Sequence, residues 1–150
     1  AAALSAVLCV VLRAAAFAEA ETKEYIAAFR PGIVTDTQDI TGNLLRSSDV
    51  LPSEEDVRAA LPRFTGEIEQ IPPMYSATKI NGRKLYDIAR CGGEVEREAR
   101  RITIHSIDYL GQENGDHLLR IHCSKGTYIR TLCHDLGEYL GCGGCMAALR

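Results

Sequence analysis

Two alternating segments joined by a short polar turn limit the folds open to this chain more than any other feature. The segments "RRITIHSIDYL" (100–110) and "HLLRIHC" (117–123) alternate apolar and polar residues, which is the period of a strand with one buried face. Between them, "GQENGD" contains an Asn-Gly pair, which favours a tight hairpin turn. The sequence therefore predicts a pair of antiparallel strands.

Other segments have the spacing of helices or of a further strand. "KEYIAAFR" (23–30) alternates like a strand. "SEEDVRAAL" (53–61) predicts a helix with Ser53 as its cap and Asp56 at the capping-box position. "KLYDIARCGG" (84–93) and "TLCHDLGEYLG" (131–141) predict two more helices, each closed by glycine.

The intervening segments read as loops. "PGIVTDTQDITGN" (31–43) is rich in turn-forming residues, and two adjacent prolines make "IPPMYSATKINGR" (71–83) irregular. The predicted class is α+β, with a mixed, largely antiparallel sheet and flanking helices.

The first twenty residues, "AAALSAVLCVVLRAAAFAEA", have the apolar run and small residues of a signal peptide. They lack an initiator Met and a basic start, and Arg13 interrupts the apolar run. We expect instead that the chain starts within a longer protein, with a buried strand over 6–12 and a helix after it. The uncharged run of 1–12 is too short to span a membrane, so we expect no membrane association.

The six cysteines favour reduced thiols in the cytoplasm, because the apolar composition of 46% is ample for a core without disulfides. Cys142 and Cys145 form a C-x-x-C pair, so a zinc-binding module is an alternative. The second pair of ligands lacks the usual close spacing, and we predict no metal site. The net charge of −3 excludes a uniformly basic RNA-binding surface but leaves room for a local basic patch.

Three groups of polar residues are candidates for a functional site. Asp36 and Asp39 have the chemistry to bind a cation, but Asp in such a loop more often caps a turn. Lys79, Arg83 and Lys84 form a small basic cluster suited to phosphates, although such clusters are usually solvated surface.

The third group lies in "CSKGTYIRTLCHDLGEYLG" (123–141). We interpret Tyr128 to Arg130 as extended, which would point both side chains the same way. Arg130 offers a fork of donors suited to a carboxylate or a phosphate. The alternative is a half-buried Tyr beside a surface Arg.

Three stretches together carry a family resemblance: "KEYIAAFRPGIVTDTQDITGN", "IPPMYSATKINGRKLYDIARCGGEVER" and the 123–141 stretch, in this order. From about residue 20 to 150 the chain resembles the TruB-type tRNA pseudouridine synthases. The resemblance implies an α/β fold with an RNA-binding cleft, and isomerisation of uridine 55 in the tRNA T-arm without a cofactor. It also implies a cytoplasmic monomer. By this resemblance, residues 1–130 are a portion of the catalytic domain and 131–150 start the C-terminal part.

The resemblance also assigns roles to residues. A base inside a folded tRNA arm must be flipped out, and Tyr25 would stack on it while Tyr128 packs beside it. Arg130 would pair with the catalytic aspartate, and Leu149 would touch the base. We expect Tyr25, Tyr128 and Arg130 to meet in one cleft. The candidates for RNA contact are Lys79, Arg83, Lys84 and Lys125.

The sequence departs from the family at the nucleophile. The family's Asp lies in a "GTLDP" motif, and reading back from Val7-Leu8 without insertions places it on Ala1. We therefore interpret the chain as a fragment or a decayed copy. A non-catalytic RNA-binding remnant of the family is the main alternative to an enzyme.

The first prediction concerns the chain of 150 residues as given. We expect it to convert no uridine in a T-arm transcript, because loss of a covalent nucleophile removes the reaction path. Incubation of the purified chain with the transcript, followed by nucleoside analysis, measures this. Detectable turnover would contradict the assignment of Ala1.

Overall fold

The computed structural model describes residues 22–76, 79–80, 82–93 and 95–150. Its strands are β1 (Thr22–Pro31), β2 (Ile33–Thr35), β3 (Leu44–Ser47), β4 (Gly66–Gln70), β5 (Lys79–Ile80), β6 (Arg83–Lys84), β7 (Arg100–Glu113), β8 (Asp116–Ser124) and β9 (Gly144–Leu149). The helices are α1 (Glu54–Ala60), with a 3₁₀ turn over Leu61–Phe64 directly after it, α2 (Leu85–Arg90) and α3 (Ile129–Leu140). The predicted strand at 6–12 lies outside the described residues.

The predicted hairpin is confirmed as β7 and β8, which pair antiparallel from Ile104–Cys123 to Glu113–Asp116. The two turn residues, Asn114 and Gly115, have φ of 53° and 84°. Positive φ at both positions is the requirement of the turn that best matches the twist of a two-stranded ribbon. The strands extend further into the polar segment than the alternation alone predicts.

Five strands form one antiparallel sheet in the order β4-β7-β8-β1-β9. The strand predicted at 23–30 is β1, and it pairs with β8 on one side and β9 on the other. Two short hairpins, β2-β3 and β5-β6, stand apart from this sheet. The predicted α+β class with a largely antiparallel sheet is confirmed.

One face of the sheet is covered by α1 and α3, and the hydrophobic core lies between these layers. Ala27 and Phe29 of β1 share the core with Val57 of α1 and with Leu132 and Leu136 of α3. The capping box predicted for α1 is present, since Ser53 and Asp56 exchange side-chain to backbone hydrogen bonds. The core contains a polar member, His117, whose Nδ1 lies 2.7 Å from the Tyr109 hydroxyl.

One segment differs from its prediction as a loop. The segment 31–43 contains β2, which pairs with β3. After α1, Pro62 is the second residue of the 3₁₀ turn, where its missing N–H leaves no hydrogen bond unmade. In the part of the chain that the structure describes, no helix is both long and apolar enough to cross a membrane.

Glycines allow α3 and β9 to approach each other closely. A Cβ built on Gly137 would overlap the backbone of Gly143 and Gly144, and one built on Gly144 would overlap the Phe29 ring. Gly141, with φ of 83°, ends α3 and turns the chain back towards the sheet. The contact between helix and strand is therefore made by backbone against backbone.

The second prediction tests this contact with Gly137→Ala. Alanine favours a helix by about 1 kcal/mol over glycine, but overlap with the peptide between Gly143 and Gly144 cannot be relieved by a side-chain rotation. We expect a net loss of about 1–3 kcal/mol in the free energy of unfolding, measured by urea titration with circular dichroism. Glu138→Ala, at the next and exposed position, should change it by less than about 1 kcal/mol. Equal stability of the two variants would contradict the argument.

Candidate active site

Helix α3 begins one residue after Tyr128, and this corrects the prediction for 128–130. Tyr128 is the residue before the helix, with extended φ and ψ of −93° and 106°. Ile129 and Arg130 are already helical, so the prediction that Tyr128 and Arg130 share one side of a strand is wrong. The reason is burial: Ile129, Leu132 and Cys133 enter the core together with helical spacing.

The start of α3 is held by a buried glutamine on β4. The Tyr128 N–H donates to Oε1 of Gln70 at 2.9 Å, and Nε2 of Gln70 donates to the Tyr128 carbonyl at 3.1 Å. Gln70 is 2% exposed. One carboxamide therefore fixes both backbone groups of Tyr128, which has no side-chain cap of its own.

Arg130 reaches from the first turn of α3 to two separate segments. Its Nη2 donates to the Tyr75 carbonyl at 2.8 Å, and its Nη1 lies 3.4 Å from the Thr37 carbonyl. In the described residues these two partners are backbone carbonyls, and no carboxylate there forms an ion pair with Arg130. Arg130 thus joins the loop after β2 and the proline segment after β4 to α3.

A second contact holds the same loop. Thr131, which is 2% exposed, donates its hydroxyl proton to Oε1 of Gln38 at 2.8 Å. The Gln38 carbonyl accepts from the Met146 N–H of β9 at 3.0 Å, although the φ of Gln38 is 65°, an uncommon value for a residue with a side chain. The loop is therefore fixed between α3 and the edge strand β9.

Tyr25 and Leu149 lie near one another on the core face of the sheet. Leu149 is opposite Ala27, so the two side chains share a face, and Tyr25 is two residues away from Ala27 along β1. Tyr25 packs against the core, whereas Leu149 is 43% exposed. Such diagonal positions are roughly 7–8 Å apart in antiparallel sheets.

The same end of the sheet holds the start of α3. Thr22 of β1 pairs with Ser124 of β8, and the chain then turns directly into Tyr128 and α3. Tyr25, Leu149, Tyr128 and Arg130 thus come from the ends of elements that meet at one end of one face. Whether all four line a single cleft stays a prediction.

The basic candidates lie in two places. Lys125 is exposed in the turn between β8 and α3. Arg83 is exposed on β6, next to Lys84, whose ammonium group donates to the Tyr86 hydroxyl at 3.1 Å. This hydrogen bond raises the pKa of Lys84. Lys79 belongs to β5, and Ala1 lies outside the described residues.

The acidic loop residues close turns, as the more common interpretation predicts. Asp36 accepts from the N–H and the amide of Asn43, at 2.8 and 3.0 Å. Asp39 accepts from the N–H and the hydroxyl of Thr41, at 3.0 and 2.8 Å. Their oxygens are used within the loop.

The cysteines give the zinc alternative no support. Within the described ranges, no three His, Cys, Asp or Glu side chains lie close enough together to hold a metal ion. Burial raises the pKa of Cys142, and burial raises that of Cys145 to about 11, so both stay protonated thiols near neutral pH.

Two solved structures have a fold similar to that of this chain. The fold is similar to a chain in the crystal structure of a Cbf5-Nop10-Gar1 complex, with a TM-score of 0.58 and 30% identity over 86% of this chain and 29% of that one. It is also similar, with a TM-score of 0.51 and 26% identity, to a chain of an H/ACA RNP bound to a substrate RNA containing 2′-deoxyuridine, covering 86% of this chain and 27% of that one.

Relatives by sequence are more similar still. Proteins named tRNA pseudouridine synthase B from Aromatoleum aromaticum and Pseudomonas aeruginosa are 52% and 53% identical over 85% of this chain. The chain spans 42% of the length of each. Residues 5–129 match the N-terminal domain model of the TruB family pseudouridylate synthases, and 130–150 match the C-terminal domain model of tRNA pseudouridylate synthase B. The chain therefore belongs to the TruB family.

The sequence arguments missed Gln70, Gln38 and Thr131, which organise the start of α3. Each makes its contact with a residue at least 58 positions away, so no local spacing indicates it. A signal exists only for Gln70. A polar residue that ends an alternating strand directly before a proline segment is a candidate for a buried hydrogen bond to a distant backbone.

The third prediction concerns the thiols. Cys91 is exposed, whereas Cys123, Cys133, Cys142 and Cys145 are buried and burial raises the pKa of each. In a Cys9→Ser variant at about pH 8, we expect Cys91 to react quickly with a disulfide reagent and the other four to react only after unfolding. Counting released chromophore with and without denaturant measures this. Fast reaction of more than one thiol in the folded variant would contradict the burial.

Proposed function

We propose that this chain forms the base-binding part of an enzyme that isomerises uridine 55 in the T-arm of tRNA to pseudouridine. Membership of the TruB family supports the reaction class. The observation that carries the proposal is the meeting of Tyr25, Leu149 and the start of α3 at one end of one sheet face. This arrangement supports the proposal, because the strand positions of Tyr25 and Leu149 and the start of α3 lie towards the same end of the sheet.

The reaction needs groups of these types. The bond from ribose C1′ to uracil N1 breaks, the base turns, and a bond from C1′ to C5 forms. N1 gains a proton and C5 loses one, so no electrons enter or leave and no cofactor is needed. The base must leave the stack, and an aromatic ring at Tyr25 or Tyr128 together with the apolar Leu149 offers it a surface.

Arg130 is the residue suited to the catalytic aspartate. A guanidinium has five N–H donors, and the Tyr75 and Thr37 carbonyls engage two of its nitrogens. The remaining donors can hold a carboxylate, whose pKa a neighbouring positive charge lowers. A carboxylate kept ionised and oriented in this way is ready for nucleophilic attack at C1′.

Local basic residues bind the tRNA backbone in this proposal, because the net charge of the whole chain is −3. Lys125 is beside the start of α3. The Lys79, Arg83 and Lys84 cluster follows the segment that carries the Tyr75 carbonyl, and the Tyr86 N–H donates to the Ser76 carbonyl at 3.1 Å. We further propose a cytoplasmic monomer, with residues 1–130 acting as catalytic-domain portion and 131–150 as the start of the C-terminal part.

A non-catalytic RNA-binding role is the second candidate. The observation that favours it is Ala1 at the position where the family motif has its aspartate. Both candidates share the base-binding surface and differ only in the nucleophile.

The fourth prediction tests whether the residues around Arg130 support catalysis. It uses an Asp-restored chain, which carries Ala1→Asp and Ala2→Pro preceded by Gly-Thr-Leu. We expect it to form pseudouridine in a T-arm transcript, and Arg130→Lys to slow single-turnover conversion by an amount equivalent to about 2–4 kcal/mol. Lysine keeps the charge but loses the planar fork that orients a carboxylate.

The control is Arg58→Lys, at an exposed ion pair on α1, which should leave the rate unchanged. RNA affinity should change little in either variant, because backbone contacts elsewhere dominate it. If the Asp-restored chain binds the transcript without converting it, the non-catalytic role is the correct one.

A further inference from the structure

Gln70 is the buried group that sets the start of α3, and it lies outside the three stretches that carry the family resemblance. We propose that Gln70 is a positioning residue: it places Tyr128 against the flipped base. This inference rests on the proposed function, because it takes Tyr128 as part of the base-binding surface.

The two hydrogen bonds need one acceptor and one donor on the same side chain, which a carboxamide supplies near neutral pH. Oε1 of Gln70 accepts at 2.9 Å and Nε2 donates at 3.1 Å, both to the backbone of Tyr128. A carboxylate of the same shape has no proton to donate to the carbonyl, and the shorter Asn cannot reach from the same backbone position. Glutamine is therefore the side chain that satisfies both groups at once.

The two hydrogen bonds from Gln70 act on the backbone of Tyr128 at the point where the chain changes from extended to helical. Its φ and ψ are extended, its own side chain makes no capping hydrogen bond, and the first helical bond is the Leu132 N–H to the Tyr128 carbonyl at 3.1 Å. Ile129 is buried directly after it. A shift of the Tyr128 backbone would carry its ring away from the base, and displacements near 1 Å at a positioned group can cost about 100-fold in rate.

Together with Arg130, Gln70 fixes a longer stretch of chain. Gln70 joins the end of β4 to Tyr128, and five residues later the Tyr75 carbonyl joins Arg130. Residues 70–75 are thus attached at both ends to the first turn of α3. Gln70 therefore influences the orientation of Tyr128 directly and that of Arg130 through its carbonyl partner.

The test uses the 150-residue chain and two T-arm stem-loop RNAs, one with uridine at position 55 and one with an abasic ribose there. The dissociation constant for the abasic RNA, divided by that for the uridine RNA, measures contacts to the base alone. We expect Gln70→Glu and Gln70→Ala to reduce this ratio by about tenfold, within the range of one lost stacking contact, and to change abasic affinity by less than about threefold. Glu69→Gln, the reverse swap at the neighbouring exposed position, should leave both values unchanged.

A pH series separates positioning from general loss of structure. At about pH 5 the carboxyl introduced by Gln70→Glu is more often protonated and can donate to the Tyr128 carbonyl, so the ratio should recover relative to about pH 7.5. The Gln70→Ala variant has no group to protonate and should not recover. Urea unfolding of each variant shows which of them are folded, and the acidic Gln70→Glu sample remains informative if Gln70→Ala does not fold.

The outcomes are distinct. A reduced ratio that recovers with acid in Gln70→Glu supports the positioning role. An unchanged ratio in a folded Gln70 variant overturns that role and leaves the proposed function intact. If the unsubstituted chain does not distinguish the two RNAs, the proposed function of its base-binding surface fails, and the inference fails with it.

Discussion

Burial of one side of α3 against the two strands β1 and β9 is the interaction on which the rest of the structure depends. Leu132, Cys133 and Leu136 lie in the same core as Phe29 and Met146. Because the helix backbone meets the strand backbone at Gly137 and Gly144, the separation of the two layers leaves almost no tolerance. This packing therefore determines where α3 begins, and with it the positions of Tyr128 and Arg130 at the site.

Polar contacts then determine which segments meet at the N-terminal end of α3. Gln70 connects the start of α3 to the end of β4, whereas Thr131 and Arg130 connect the helix to segments without regular structure. These contacts are buried or half-buried, so each unpaired partner would cost about 1–3 kcal/mol. The core supplies the free energy of folding, and these hydrogen bonds select one arrangement of the loops.

Most of the sheet could be predicted from sequence because the strands alternate and the Asn114-Gly115 turn is strongly specific. Helix α1 was predictable from its cap at Ser53. The start of α3 was not, because Tyr128, Ile129 and the preceding Thr favour strands locally while burial of Ile129 decides for the helix. The contacts of Gln70 and Arg130 depend on residues brought together only by the fold, so local patterns carry no trace of them. Residue chemistry made Arg130 a candidate, the family motifs assign it a place beside the catalytic aspartate, and that role stays a prediction.

The placement of the candidate residues at one end of the sheet leaves the other end free. The β7-β8 turn lies at the far end of the strands from Tyr128, and its tip is formed by Asn114 and Gly115. Beside the tip, Asp116 forms an ion pair with Arg30 of β1. An exposed turn of this kind tolerates added residues well. A fluorophore or an affinity tag inserted between Asn114 and Gly115 would therefore lie at the opposite end of β8 from Tyr128.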